Sequence, residues 1–104
     1  MAGLVGMAFI PYYNQLMEIL STNPELRKSA KGSVIGYMQS DDYDSMLNVL
    51  YNMSDRDKER LVEKVQELVG STGIEAVTRF IGSQVQRELL LNMIRNFSKN
   101  TKGG

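Results

Sequence analysis

Residues 74–98 read IEAVTRFIGSQVQRELLLNMIRNFS, and from Val77 onward an apolar residue occupies every fourth position. The members of this row are Val77, Ile81, Val85, Leu89, Met93 and Phe97. A spacing of four indicates an α-helix, because a β-strand repeats every second residue. Four residues turn a helix by about 400°, so the row winds through about 200° in total. The stretch therefore predicts a long C-terminal helix whose two halves face in nearly opposite directions.

Two arrangements would bury both halves of such a helix. Gly82 and Ser83 lie between the halves, where a bend can form. Either the helix bends there and packs both halves on one core, or it stays straight and presents its last three turns to a second body. We expect Val77 to Val85 to belong to the core of this domain. For the second half we predict a protein interface formed by Leu89, Leu90, Met93, Ile94 and Phe97.

Helix-start signals divide the chain upstream of this stretch. Pro11 is suited to the first position of a helix that would end near residue 22. Asn23-Pro24-Glu25 combines an N-cap, a proline at the first helical position and an acid in the first turn. This combination predicts a second helix, which the apolar spacing extends to about Gln39.

The middle of the chain predicts two further helices. One begins at Ser40-Asp41-Asp42, and its apolar side is an unbroken stripe of Tyr43, Met46, Leu47, Leu50 and Tyr51. The next begins at Ser54, which resembles the N-cap of a capping box, and ends at Gly70, a natural C′ residue. Thr72 and Glu75 have the spacing of a second capping box, which would start the C-terminal helix.

These elements predict an all-α fold. The connections of two to four residues favour antiparallel neighbours, so we expect a four- to five-helix bundle with a long C-terminal helix. A chain of 104 residues is long enough for one domain with a modest core. We assign residues 1–98 to a single helical domain and residues 99–104 to a flexible polar tail.

The composition argues against catalysis. The chain has no histidine and no cysteine, which removes the commonest general base, disulfides and sulfur-ligated metals. No paired arrangement of nucleophile and base is visible in what remains. We therefore expect no enzyme activity, no cofactor and no metal. Neither a secretion signal nor a run long enough to cross a bilayer is present, so we expect a cytoplasmic protein.

The acids near residue 42 have a simple structural explanation. Asp41, Asp42 and Asp44 lack the alternating ligand spacing of a calcium loop, and acids in a first turn complement the helix dipole. Asp44-Ser45-Met46 resembles the Asp-Ser-Leu around the prosthetic-group serine of acyl carrier proteins, over three residues of the 104. The resemblance would imply phosphopantetheine on Ser45, whereas local hydrogen bonding accounts for a serine near a helix start.

The apolar C-terminal half predicts the function better than any chemical motif does. Its six large apolar side chains between Leu89 and Phe97 are too many to leave in water. The uncharged N-terminal segment, with Leu4 and Phe9, is a second candidate for the same interface. We therefore expect a non-catalytic interaction or structural protein, such as a small adaptor, an assembly factor or a viral accessory protein. Its simplest assembly would be a homodimer, and another protein is the alternative partner.

Basic residues support an alternative function, a small nucleic-acid-binding module. The total charge is balanced, with twelve bases and twelve acids, so no global field attracts nucleic acid. Bases are nevertheless concentrated on the second helix and near the C-terminus, and candidate phosphate contacts are Arg27, Lys28, Lys31, Arg87, Arg95 and Lys99. No aromatic residue is interleaved with them for base stacking, and a solvated charged face explains the same pattern.

Overall fold

The computed structural model describes the backbone of residues 2–32 and 40–101, and the side chains of residues 9–29 and 42–100. These residues form six helices and no strand: α1 (Ala2–Thr22), α2 (Pro24–Gly32), α3 (Ser40–Tyr51), α4 (Asp55–Val69), α5 (Ile74–Phe80) and α6 (Gln84–Thr101). The predicted all-α fold is confirmed. The helices outnumber the expected four or five because the long C-terminal helix is divided into α5 and α6.

Three of the predicted helix ends are confirmed by their hydrogen bonds. The Asn23 side-chain oxygen accepts from the N–H groups of Glu25 (2.8 Å) and Leu26 (3.2 Å), as an N-cap does. Ser54 Oγ accepts from the Asp57 N–H at 3.2 Å. Gly70 ends α4 with a φ of 78°, a left-handed conformation that glycine adopts without a steric penalty.

Two predicted starts are wrong. Pro11 lies inside α1 rather than at its first position, since proline removes only one bond of the helical ladder and the rest of the ladder continues. The N-cap of α5 is Gly73 rather than Thr72, with extended backbone (φ −87°, ψ 142°). A Cβ on residue 73 would lie 2.5 Å from Glu75 Oε1, so the acid folds back over the glycine.

The predicted ends of the second and the last helix have different outcomes. The described part of α2 ends at Gly32, and its predicted continuation to Gln39 lies outside the described residues. At the other end, α6 continues to Thr101, three residues into the segment predicted as a polar tail. Residues 102–104 lie outside the described residues.

One core joins the helices. α1 packs against α3, α4 and α5, while α6 packs against α2, α3 and α4. The largest fully buried side chains of this core are Tyr43, Leu16, Met17, Leu20, Leu26, Leu50, Leu61, Leu90, Ile94, Val65 and Val77. Members from both halves of the C-terminal stretch therefore contribute to the same core.

Residues 81–83 separate α5 from α6, and we call them the α5–α6 elbow. Of the two arrangements that the sequence allowed, the structure has the bent one. The elbow turns α6, the second half of the C-terminal stretch, onto the core of its own chain. Leu90 and Ile94 are completely buried there. The prediction that Val77 to Val85 all belong to the core is wrong at Val85, which is 68% exposed.

Two buried tyrosines hold the ends of α1 and α3 together. Carbonyls in the last turn of a helix have no partner within the helix. The Tyr13 hydroxyl on α1 donates to the carbonyl of Leu50 in the last turn of α3. The Tyr43 hydroxyl on α3 donates to the carbonyl of Leu20 in the last turn of α1, at 2.8 Å. Each helix therefore caps the end of the other.

Burial changes the acidity of these tyrosines. Loss of solvation raises the pKa of Tyr43 to about 12, a change that the neighbouring Arg27 charge opposes. Burial also raises the pKa of Tyr13 far above its ordinary value, and the nearby Tyr51 adds to that shift. The pKa of Tyr12 rises for the same reason of lost solvation. Tyr51, in contrast, is 53% exposed and departs from the predicted buried stripe of α3.

Candidate protein interface

An exposed apolar strip runs along the outside of α6. Val85 is 68% exposed and Leu89, one turn further, is 47% exposed. Met93 follows after another turn and is half-buried. We call these three residues the outer α6 strip. Because they are spaced by four, they form one continuous ridge on the helix surface.

The outer α6 strip differs from the other exposed apolar side chains that the structure describes. Ile10 on α1 and Tyr51 on α3 are each exposed singly, and a single exposed apolar residue is ordinary for a protein surface. The strip instead has two such residues in adjacent turns. A polar pair borders it, in which the Gln84 side-chain nitrogen donates to Glu88 Oε2 at 3.2 Å.

Most of the predicted interface residues are not on this surface. Leu90, Ile94 and Phe97 are buried in the core of the chain, because the elbow turns their side of α6 inward. Phe9 is also a core residue. Leu4 lies on α1, but its side chain is outside the described residues. Of the seven predicted residues, only Leu89 and Met93 belong to the strip.

The sequence analysis did not predict Val85 as a surface residue, but the apolar pattern of α6 alone indicates its exposure. At 100° per residue, Leu90, Leu91, Ile94 and Phe97 cluster on one side of α6, and Val85 points almost directly away from them. One continuous helix through residues 74–98 would instead place Val85 on the same side as the apolar residues of α5. Because the elbow interrupts the helix, the angle between residues of α5 and residues of α6 is no longer set by 100° per residue. The predicted core position of Val85 therefore fails.

The candidate phosphate-binding residues have mixed surroundings. Arg27 forms a 3.0 Å ion pair with Asp44 and lies over the Tyr43 ring, 4.8 Å from its centre. The Arg87 guanidinium donates to Ser29 Oγ (3.0 Å) and to the carbonyl of Ile81 (2.8 Å). These two arginines therefore stabilise the joints of α2 with α3 and with α6.

The remaining bases lie on two helices in contact. Lys28 on α2 and Lys99 on α6 are exposed, and Arg95 on α6 is half-buried. The side chain of Lys31 is outside the described residues. α2 packs directly against α6, so the two basic segments that are separate in sequence lie on neighbouring helices.

The described residues contain little that points to chemistry. None of their Asp and Glu side chains form a group of three or more that could hold a metal ion. A shallow depression at the end of α4 is lined by Glu63, Gln66, Glu67, Gly70, Ser71 and Thr72 and opens widely to solvent. The hydroxyl of Tyr12 is buried without a hydrogen-bond partner, and its raised pKa makes it a poor acid or base at neutral pH.

Neither the helices, as possible membrane spans, nor the similarity of the chain to known proteins indicates a function. Among the helices described, none is both long enough and apolar enough to cross a bilayer. The chain matches no protein-family model, no curated protein and no solved structure.

Proposed function

We propose that this protein is a non-catalytic interaction or assembly protein that associates with itself through the outer α6 strip. The observation that carries the proposal is the exposure of Val85 and Leu89 in adjacent turns of one helix. Placing both side chains against another protein would remove their apolar surface from water, which is the main favourable term in association.

The spacing of the strip favours a second copy of α6 as its partner. Residues spaced by four form a ridge, and two such ridges interdigitate when helices cross at about −50°, the commonest class of helix packing. A twofold axis through Leu89 would bring Val85 of one copy near Met93 of the other. Such a self-complementary patch is all that a closed dimer requires.

We expect Leu89→Asp and Val85→Asp to remain monomeric at concentrations where the wild-type protein associates. The introduced carboxylates would have to lose their solvation at the interface, whereas in the monomer both positions are exposed and tolerate a charge. Sedimentation velocity over a wide range of protein concentrations measures the effect. Far-UV circular dichroism establishes that each variant keeps its helices.

Tyr51→Ser is the matched control for this experiment. Tyr51 has a similar exposure to the strip residues, but it lies on α3, so its replacement should leave association unchanged. A wild-type protein that stays monomeric at the highest concentration would refute self-association. Equal association of wild type and both aspartate variants would refute the strip as its site.

A second candidate function is binding to a nucleic acid through α2 and α6. The packing of α2 on α6 supports it, because the bases of the two segments then lie on neighbouring helices. Within the described residues, exposed Lys28 and Lys99 form no ion pair, so these two lysines would contact phosphate on such a surface. Arg27 and Arg87 contribute less, since their guanidinium groups bond to Asp44, Ser29 and Ile81.

If this second function holds, Lys28→Glu combined with Lys99→Glu should weaken binding to a labelled duplex or single strand by at least about tenfold at low salt. Each substitution replaces an attraction to phosphate by a repulsion. Fluorescence anisotropy at several salt concentrations measures the change. A matched variant, Lys58→Glu on α4, lies outside these two helices and should bind as the wild type does. Absence of salt-sensitive binding by the wild-type protein would remove this candidate.

A further inference from the structure

The α5–α6 elbow keeps helical hydrogen bonds at both of its ends. Ile81 has φ −79° and ψ 7°, and its N–H donates to the carbonyl of Val77 at 3.0 Å, the bond that a helix would make. The Arg87 N–H likewise donates to the carbonyl of Ser83 at 2.9 Å. Among the described residues only Gly70 has a positive φ, so the elbow has none. It can straighten into a helix without crossing a forbidden backbone region.

One side chain holds the elbow in its bent form. In a continuous helix, the carbonyl of Ile81 would accept from the N–H of Val85. In the bent form it accepts from Arg87 Nη1 at 2.8 Å, while Arg87 Nε donates to Ser29 Oγ on α2 at 3.0 Å. Arg87 therefore substitutes for a helical bond at the elbow and ties the elbow to α2.

Gly82 favours the bent form over the straight one. Its N–H donates to the carbonyl of Arg79 at 3.1 Å, and a Cβ on residue 82 would lie 3.2 Å from that same oxygen. This is a close contact with main-chain atoms, which cannot move aside as a flexible side chain would. In a helix interior, by contrast, glycine is less favourable than alanine. A methyl group at residue 82 therefore favours the straight helix through the higher helix propensity of alanine.

We infer that the elbow is a hinge through which two copies of this chain exchange their α6 helices. This inference rests on the proposed self-association and specifies its mechanism. In the exchanged dimer, α5 and α6 form one straight helix, and α6 of each copy packs on α2, α3 and α4 of the other. The core contacts are the same as in the monomer, which is why short hinge segments promote such exchange.

Exchange also accounts for the outer α6 strip. In the straight helix, Val85 and Leu89 continue the row that starts at Val77 and Ile81. The two straight helices would lie side by side where they pass from one half of the dimer to the other. Val85 and Leu89 are next to this crossing, so each copy would cover the strip of its partner.

Two substitutions test the hinge in opposite directions. Gly82→Ala favours the straight helix and should lower the dissociation constant of the dimer by at least about tenfold, since both chains of the dimer benefit. Gln84→Pro strongly disfavours the straight helix, because the proline ring would clash with the carbonyl of Phe80 and residue 84 would lose its N–H bond to that carbonyl. It preserves the bent form, because Gln84 is the first residue of α6, where proline is accepted. The double variant should therefore return to the monomer.

The experiment incubates each concentrated protein in urea below its unfolding midpoint, so that α6 can detach, and then removes the urea. Size-exclusion chromatography with light scattering gives the mass, and circular dichroism confirms the helices. Arg87→Met provides a second route to the dimer if Gly82→Ala does not fold, because it removes the bond to the carbonyl of Ile81, which only the bent form makes. The expected result is a dimer that converts only slowly to monomer on dilution, and a monomeric double variant.

Two results would overturn the exchange. In the first, Gly82→Ala and Arg87→Met both stay monomeric under these conditions. In the second, dimers persist when Gln84→Pro is added, which shows that association does not need a straight hinge. If those persistent dimers are dissociated by Leu89→Asp, self-association through the strip stands and only the exchange fails.

Discussion

Leu90→Asp should unfold this protein, whereas Leu89→Asp, one position earlier, should leave it folded. Leu90 is fully buried between α6 and the helices it packs against, while Leu89, about 100° away around the helix, is 47% exposed. The same substitution on adjacent residues therefore separates core from surface. Circular dichroism at 222 nm and the thermal unfolding midpoint provide the measurement.

The size of the effect follows from two costs at Leu90. Truncating a buried leucine costs about 2–5 kcal/mol, because the transfer free energy is lost and a cavity remains. Burying a carboxylate without a partner adds several kcal/mol, since the charge loses its solvation. A domain of this size has a free energy of unfolding of about 5–15 kcal/mol, so the two costs together approach or exceed it.

Milder substitutions provide the controls. Leu90→Ala should lower the free energy of unfolding by about 2–5 kcal/mol in urea titrations. Leu89→Ala should change it by less than about 1 kcal/mol, because the side chain is half in water already. The prediction would be contradicted if Leu90→Asp kept the wild-type melting temperature and only changed the oligomeric state. That result would mean that Leu90 faces a partner and not its own core.

The local part of the fold was predictable from the sequence. Asn23, Ser54 and Gly70 act through bonds to residues at most four positions away, so a short stretch of sequence contains all the atoms involved. Thr72 shows the limit of that reasoning. Thr72 and Glu75 have the spacing of a capping box, but the adjacent Gly73 is the N-cap of α5. Which of two neighbouring residues becomes the N-cap depends on backbone geometry.

The arrangement of α5 and α6 was not predictable because it depends on distant residues. The apolar row indicated a bend at Gly82 or a second partner, and both were consistent with its angles. The bend is held by the bond from Arg87 to Ser29, which joins residues 58 positions apart. The caps that Tyr13 and Tyr43 provide also link distant helices. Without knowing these neighbours, the sequence assigned core residues such as Leu90 to the interface and Val85 to the core.

The second large expected effect is cooperative unfolding at alkaline pH. Burial raises the pKa values of Tyr12, Tyr13 and Tyr43 above that of a tyrosine in the unfolded chain. Between pH 10 and the higher folded values, the unfolded chain therefore releases protons that the folded chain retains. The stabilisation from these groups is fully present below pH 10, and it is lost as the pH rises further.

The slope of this loss is steep. Tyr13 and Tyr43 each lower the free energy of unfolding by about 1.4 kcal/mol per pH unit, so together they lower it by about 3 kcal/mol per unit, and Tyr12 adds to the loss in the same direction. Tyr43 contributes to this loss only up to its folded pKa of about 12, because above that pH its hydroxyl also ionises in the folded protein. Against a stability of about 5–15 kcal/mol, we expect loss of the helical signal within about two to three pH units above pH 10.

The measurement combines helicity with tyrosine ionisation. Circular dichroism at 222 nm and absorbance at 295 nm, recorded over the same pH series, should show that part of the tyrosinate signal appears together with unfolding. Tyr43→Phe is the control, and it should reduce the pH slope by about 1.4 kcal/mol per unit, since one linked proton is removed. It should also cost about 1–3 kcal/mol at neutral pH, because the buried carbonyl of Leu20 loses its donor. Ionisation of all five tyrosines with an unchanged helical signal would contradict the buried hydroxyl caps, and with them the joint between α1 and α3.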